Sequence, residues 1–142
     1  MERQRDYCRF FKRSSLEKII LDTNILIEIL KGDDRTLELL RSLKYSFAVS
    51  AVSEMELYFG AINKAELLHL QKFIRNFEII QIDQSISRQS TELIFIYAKS
   101  HHLNIPDSLI AATGMSTGYA LLTYNQKDFR YINDLSLIKL PK

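Results

Sequence analysis

Short apolar runs alternate along the chain with longer stretches of helical period. Ile19-Ile20-Leu21, following Lys18, is an uninterrupted apolar run of strand length, as expected where both faces of a strand are covered. Beyond it the spacing predicts a helix over Thr23–Lys31 and another over 34–43, then a strand over 47–49. Residues 50–62 read as helical, and 65–75 place Leu67, Leu70, Phe73 and Ile74 on one helical face. A strand is expected over 78–82, and a helix over 85–100 with Ile86, Leu93, Ile94 and Tyr97 inward. Asn104-Ile105-Pro106 breaks the pattern, a helix starts at Asp107, and Gly118 ends it. The last strands are 120–123 and 136–140, with a helical turn over 126–131 between them.

Five strands separated by helices imply parallel pairing, because parallel neighbours need crossover connections and the strands are apolar throughout rather than alternating. The expected fold is α/β, a three-layer sandwich around a central five-stranded parallel sheet. In such sheets ligands sit beyond the carboxyl ends of the strands, so polar residues that follow apolar runs are the first candidates for a site.

Composition narrows the class. The 142 residues, 46% of them hydrophobic, suffice for one core and not for two ordinary domains. The net charge of +2 neither requires nor excludes a nucleic acid, but its distribution is uneven. Residues 1–18 carry six basic and three acidic side chains, so the excess lies at one end. The single cysteine, Cys8, excludes an intrachain disulfide and a Cys-rich metal centre. No apolar stretch approaches a signal sequence or the roughly 20 residues that span a bilayer, so the expectation is a soluble cytoplasmic protein without membrane contact.

Four places carry candidate chemistry. Asp22 stands at the tip of the first strand, before Thr23-Asn24; alone it is an ordinary helix N-cap. In Ser53-Glu54-Met55-Glu56-Leu57-Tyr58-Phe59-Gly60, Ser53, Glu56 and Gly60 share a helical face, while Glu54 is assigned to solvent. Pro106-Asp107 resembles a helix start, followed by the small residues Ala111-Ala112. Leu121-Leu122-Thr123-Tyr124-Asn125 is a strand end running into polar residues, where Asn125 alone is a turn former. His101 and His102 are adjacent, and neighbouring helical positions point about 100° apart, so they do not face one ion and are expected to cap or face solvent.

Other chemistries lose on spacing. A haloacid-dehalogenase phosphatase has Asp-x-Asp after its first strand, and Asn24 stands where the second Asp belongs. Among four glycines there is neither Gly-x-x-x-x-Gly-Lys nor Gly-x-Gly-x-x-Gly, so the phosphate cradles of nucleotide-binding folds are missing.

Taken together, the order hydrophobic-Asp-Thr-Asn (19–24), Glu-Leu-x-x-Gly (56–60), Pro-Asp-x-Leu-Ile-Ala-Ala (106–112) and Thr-x-Asn-x-x-Asp-Phe (123–129) resembles the PIN-domain nucleases, most closely the VapC-type toxins. The resemblance runs from Lys18 to Leu140. It implies a PIN-like sandwich and a metal-dependent endoribonuclease that hydrolyses RNA phosphodiesters to 5′-phosphate and 3′-hydroxyl ends. Asp22, Glu56 and Asp107 match the family's three acids and would hold Mg²⁺ or Mn²⁺, and Asn125 matches a fourth position that is Asp in some members. Thr23 and Asn24 match the polar pair after the first acid, and Thr123 a hydroxyl at the end of the fourth strand; Asp128 could supply the charge missing at Asn125, though beside Phe129 it more resembles a structural feature of its motif. A homodimer and a cognate antitoxin are implied as partners, with tRNA, rRNA or mRNA as substrate. Independently of the name, three clustered carboxylates repel one another unless a cation neutralises them, and all-oxygen donors favour Mg²⁺ or Mn²⁺. The alternatives are a PIN-like module that binds RNA or protein without cutting, and a housekeeping RNA-processing nuclease.

Residues 1–17 form an arm outside that resemblance, preceding a nuclease domain at 18–142. Tyr7, Phe10 and Phe11 interleave there with Arg5, Arg9, Lys12 and Arg13, a mixture suited to phosphates and unpaired bases or to docking on a dimer partner, the plain alternative being a frayed, solvated terminus.

Overall fold

The computed structural model describes Phe11 and residues 17–141. Strand β1 (Lys18–Leu21) is central, because its apolar side chains are covered on both sides and β-branched Ile19 and Ile20 suit a pleated backbone. β2 (Ser46–Ser50) pairs with it in parallel, with Ile19 opposite Phe47. β3 (Glu78–Ile80) flanks β2, and β4 (Ala120–Leu122) flanks β1 with Ile20 opposite Leu121. The order is β3-β2-β1-β4, with every pair parallel.

Within residues 17–141 the α-helices are α1 (Thr23–Lys31), α2 (Asp34–Ser42), α3 (Ala51–Phe59), α4 (Lys64–Ile74), α5 (Gln84–His101) and α6 (Ile105–Thr117). Strand alternation divides the core between the two faces of the sheet. Ile19, Leu21, Phe47 and Leu122 pack with Ile25 and Leu26 of α1, Leu40 of α2 and Leu70 of α4. Ile20 and Leu121 pack with Leu93 of α5 and with Ile110, Ala111 and Ala112 of α6. The alanines matter because small side chains let α6 approach the sheet closely. α3 contributes Leu57 to one core and Val52 to the other.

The expected three layers are present, but the sheet has four strands rather than five. Segment 136–140 makes only a parallel bridge, Leu121 to Leu137, with Leu121 N–H donating to the Ser136 carbonyl (2.8 Å) and Ile138 N–H to the Leu121 carbonyl (2.9 Å). The next rungs would use Tyr119 and Thr123, whose backbone groups are engaged elsewhere. Tyr119 N–H donates to the Thr117 hydroxyl (3.2 Å), and the Thr123 carbonyl accepts from the Gln126 amide (2.7 Å). Side chains thus end the ladder after one residue.

Three further expectations are corrected. α6 starts at Ile105 rather than Asp107, because Asn104 is its N-cap and accepts from Asp107 N–H at 2.8 Å. Leu67, expected on the buried face of α4, is 38% exposed, whereas Leu70 and Ile74 are buried. Phe11, expected in an RNA-binding or docking arm, is fully buried, stacked on Phe77 at 4.5 Å and edge-on to Phe47 at 5.8 Å. The rest of that expectation falls on residues 1–10 and 12–16, outside the described residues.

α5 and α6 form a tight hairpin. Positive φ (57°) at His102 reverses the chain, the capping role expected for it, and Asn104 opens α6 two residues later. Ser90 and Ser108 hydroxyls meet at 2.6 Å, and Ser116 donates to Ser85 at 3.0 Å, so the helices run antiparallel. This places the last turn of α5 beside the first turn of α6, and hence His101 near the helix end that bears Asp107.

Candidate active site

The carboxyl ends of β1 and β4 are adjacent, and their first polar residues, Asp22 and Thr123, meet there. Asp22 is the N-cap of α1, with extended backbone and Oδ1 accepting from Thr23 N–H (2.8 Å). Its other oxygen accepts from the Thr123 hydroxyl at 2.7 Å and from the Asn24 amide at 3.4 Å. Thr123 in turn accepts from Asn24 (3.2 Å) and from the Asn125 backbone N–H (3.0 Å), so its buried hydroxyl makes one donation and receives two. Asn24 also accepts from Tyr124 N–H at 3.3 Å. The Thr23 backbone N–H, the Asn24 amide and the Thr123 hydroxyl thus all donate to the Asp22 carboxylate.

Helical phase is decisive on α3. The Thr23 hydroxyl is hydrogen-bonded to Ser53 Oγ (2.8 Å) and to Glu56 Oε1 (2.6 Å), so Ser53 and Glu56 share the face turned to Thr23, the neighbour of Asp22. Glu54 lies off that face. It is not simply solvated, as expected, but half-buried and accepts from the Tyr58 hydroxyl one turn on (2.8 Å). Burial, reinforced by that bond, pushes the Tyr58 phenol up to about 12.

Asp107 joins from the first turn of α6. Burial, then the charges of Asp22, Glu56 and Asp128, push its carboxyl up to about 6. Burial likewise raises Asp22 above its ordinary value against the Thr123 and Thr23 hydrogen bonds, with Glu56 and Asp128 adding repulsion. Asp22, Glu56, Asp107 and Asp128 thus lie in one electrostatic field. Asp128, given a structural role by its motif, belongs to this field from the end of the 3₁₀ turn Gln126–Asp128 that follows β4. Its position three residues past Asn125 is the sequence signal that points to it. Asn125 itself is exposed and anchors the turn through its backbone.

Among the described residues no three Asp, Glu, His or Cys side chains stand close enough together to enclose a metal ion. Mutual repulsion of carboxylates opposes a closer approach. The donor set is nonetheless suited to a hard divalent cation, since it consists of carboxylates and hydroxyls, and the raised Asp22 and Asp107 carboxyls are the response of buried like charges without a counter-charge.

Residues 19–135 match the family model described as PIN domain. The chain belongs to the PIN-domain family. Its fold is also that of chains in solved toxin–antitoxin assemblies. A toxin–antitoxin complex from Klebsiella pneumoniae is similar at 30% identity and a TM-score of 0.69, over 82% of this chain and 94% of the other. VapBC2 from Rickettsia felis, bound to a DNA fragment from its promoter, is similar at 26% identity and a TM-score of 0.74, over 87% and 99%. FitAcB from Neisseria gonorrhoeae is similar at 27% and 0.69, over 85% and 96%. No curated protein matches the chain.

Across the hairpin from the acids, Tyr97 and His101 of α5 meet Tyr131, a ring cluster that apolar periodicity does not reveal. The His101 and Tyr131 rings stack at 4.1 Å and 15°, and Tyr97 stands edge-on to Tyr131 at 4.9 Å.

Proposed function

We propose that this PIN domain is a Mg²⁺- or Mn²⁺-dependent endoribonuclease, the toxin of a toxin–antitoxin pair acting in the cytoplasm on tRNA, rRNA or mRNA. The observation that carries the reading is Asp22, buried at the end of β1, hydrogen-bonded by Thr123 and Asn24, and facing the charges of Glu56 and Asp128. An acid kept in place against both burial and repulsion is expensive to maintain, and such arrangements gather at functional sites.

Asp22, Asp107 and Glu56 would hold the cation, with Asp128 adding negative charge and Asn125 at the rim. When bound, the cation neutralises these carboxylates and stabilises charge on a phosphodiester. The chain's own work is positioning: Thr123 and Asn24 fix the direction of the Asp22 oxygens, and Thr23 ties Glu56 to the start of α1. Ser53, beneath Glu56, completes that clamp through Thr23.

Protein partners fit the surface. A groove of about 350 Å³ lined by Ile27, Leu30, Leu57 and Leu70 opens beside Glu56, suited to an apolar antitoxin segment. Phe59, Ile62 and Phe95 are 94%, 81% and 90% exposed, apolar surface of the kind covered by an antitoxin or by the second subunit of a homodimer. No helix among the described residues is long and apolar enough to cross a membrane.

A PIN-like module that binds without cutting is the second reading, favoured by Asn125 in place of an acid and by the open spacing of the carboxylates. Incubation of structured RNA with the protein separates the two. Cleavage that requires Mg²⁺ or Mn²⁺, stops with chelator and is lost in Asp22→Asn supports the nuclease; binding without cleavage under every metal condition supports the module.

A further inference from the structure

The stacked rings at the end of α5 lie on the side of the acids, since Tyr131 follows Asp128 by three residues and the antiparallel hairpin sets the last turn of α5 beside the first turn of α6, which bears Asp107. Within the cluster the rings differ in exposure. Tyr97 and Tyr131 are half-buried and pin segment 126–132 to α5, whereas His101 is exposed at the outer end of the stack. His101 packs edge-on to Tyr97 at 5.5 Å and keeps its outer side exposed. It adds a second layer to Tyr131, and its Nδ1 is hydrogen-bonded to Ser100 Oγ at 2.8 Å. Lys127 and Arg130 are exposed on the same turn as Tyr131, so cations that pair with phosphates alternate with rings that stack on bases.

We propose that His101, backed by Tyr131, is a stacking platform for an unpaired base of the RNA next to the scissile phosphate. This deepens the endoribonuclease reading and rests on it for the identity of the substrate. A continuous A-form duplex keeps its bases stacked inside, so the platform selects single-stranded loops or ends, where a base is free to leave its neighbours. It recognises the π-face rather than the base edge, and therefore sets strand structure and cutting position more than sequence.

The test uses a single-stranded decaribonucleotide with a central 2-aminopurine, whose fluorescence is quenched on stacking, bound to the full chain carrying Asp22→Asn so that the RNA stays intact. Quenching is expected. His101→Ala should weaken binding about tenfold and abolish the quench, while His101→Phe, which keeps a flat ring, should restore both. In the otherwise unaltered protein, His101→Ala should lower kcat/KM for the same RNA by a similar factor, chiefly through KM.

The platform is overturned if His101→Ala binds and quenches like its parent, or if His101→Phe is as poor as the alanine variant. Metal-dependent cleavage with no response at His101 overturns the platform and leaves the nuclease standing. Ring-dependent quenching by a protein that never cuts RNA supports the platform and overturns the nuclease. Neither quenching nor cleavage overturns both.

Discussion

The Thr123 hydroxyl donates to Asp22 Oδ2 over 2.7 Å, joining two strand ends 101 residues apart in sequence. Register alone does not make this contact. Leu21 pairs with Leu122, so the next residue on each strand is brought level just as the chains leave the sheet, and there the polar side chains turn toward each other. Thr123→Val keeps the shape and removes the hydroxyl. It takes from Asp22 Oδ2 the shorter of its two donors, leaves the Asn24 amide only its 3.4 Å bond to Asp22, and leaves the Asn125 N–H without an acceptor. RNA cleavage should fall roughly 10- to 100-fold, as for other partners that orient a ligand, and stability by about 1–3 kcal/mol. Thr123→Ser, which restores the hydroxyl, should recover most of the activity. Equal activities of the Val and Ser variants in a cleavage assay would remove Thr123 from the site.

The two glutamates of α3 give a contrast in which composition is constant. Glu56→Gln halves the charge-assisted contact with Thr23 and removes one charge from the field felt by Asp22 and Asp107. A loss of at least tenfold in kcat/KM is expected. Glu54→Gln keeps an acceptor for the Tyr58 hydroxyl, so activity should stay within about twofold and stability within about 0.5 kcal/mol. Parallel kinetics on the two variants decide the matter, and comparable losses would mean that helical phase does not single out Glu56.

Asp107 connects stability to pH. Its carboxyl titrates near 6 in the folded chain against an ordinary 3.8, so the folded state holds the proton more tightly than the unfolded state. That stabilisation is fully present below the unfolded value and is lost as pH rises through the folded one, from about pH 4 to about pH 6. In chelator, the Tm should therefore fall across this window, and Asp107→Asn should flatten the fall and raise the Tm at neutral pH by roughly 3 °C. Added Mg²⁺ or Mn²⁺ should reverse the order by raising the Tm of the unaltered protein and not that of Asp107→Asn. Calorimetry across pH with and without the ion reads both arms; a wild-type Tm indifferent to either ion would remove the cation from this site.

Much of this was legible in the sequence where burial on both faces or helical phase governs. β1 and Gly118 stand where the pattern puts them, and Ser53 and Glu56 share a face because 3.6-residue periodicity demands it. What escaped depends on side chains competing for backbone groups or on contacts through space. The fifth strand stops because the Thr117 hydroxyl and Gln126 amide take the neighbouring rungs, and α6 begins early because Asn104 reaches Asp107 N–H. Asp128 acts through its charge rather than a shared helical face, and only its place three residues past Asn125 points to it. The His101–Tyr131 stack joins positions thirty residues apart, and nothing in the hydrophobic pattern links them.

Phe11 escaped for a different reason, because the basic residues around it direct attention to nucleic acid while its ring belongs to the protein core. It is fully buried, stacked on Phe77 and edge-on to Phe47, so it closes the face of the sheet that also holds Leu70 and Ile74. Truncation removes a whole aromatic side chain from a packed interior, and Phe11→Ala should cost about 3–5 kcal/mol. Phe11→Leu, which retains apolar volume but not the stack, should cost distinctly less. RNA binding should be unchanged in Phe11→Leu at temperatures where it remains folded, because the ring is turned away from solvent. Urea denaturation gives the stability, and titration with single-stranded RNA at several salt concentrations gives the binding. A stable Phe11→Ala protein with weakened RNA affinity would return Phe11 to the nucleic-acid surface, whereas an unstable one whose Leu counterpart binds RNA normally fixes it as part of the domain.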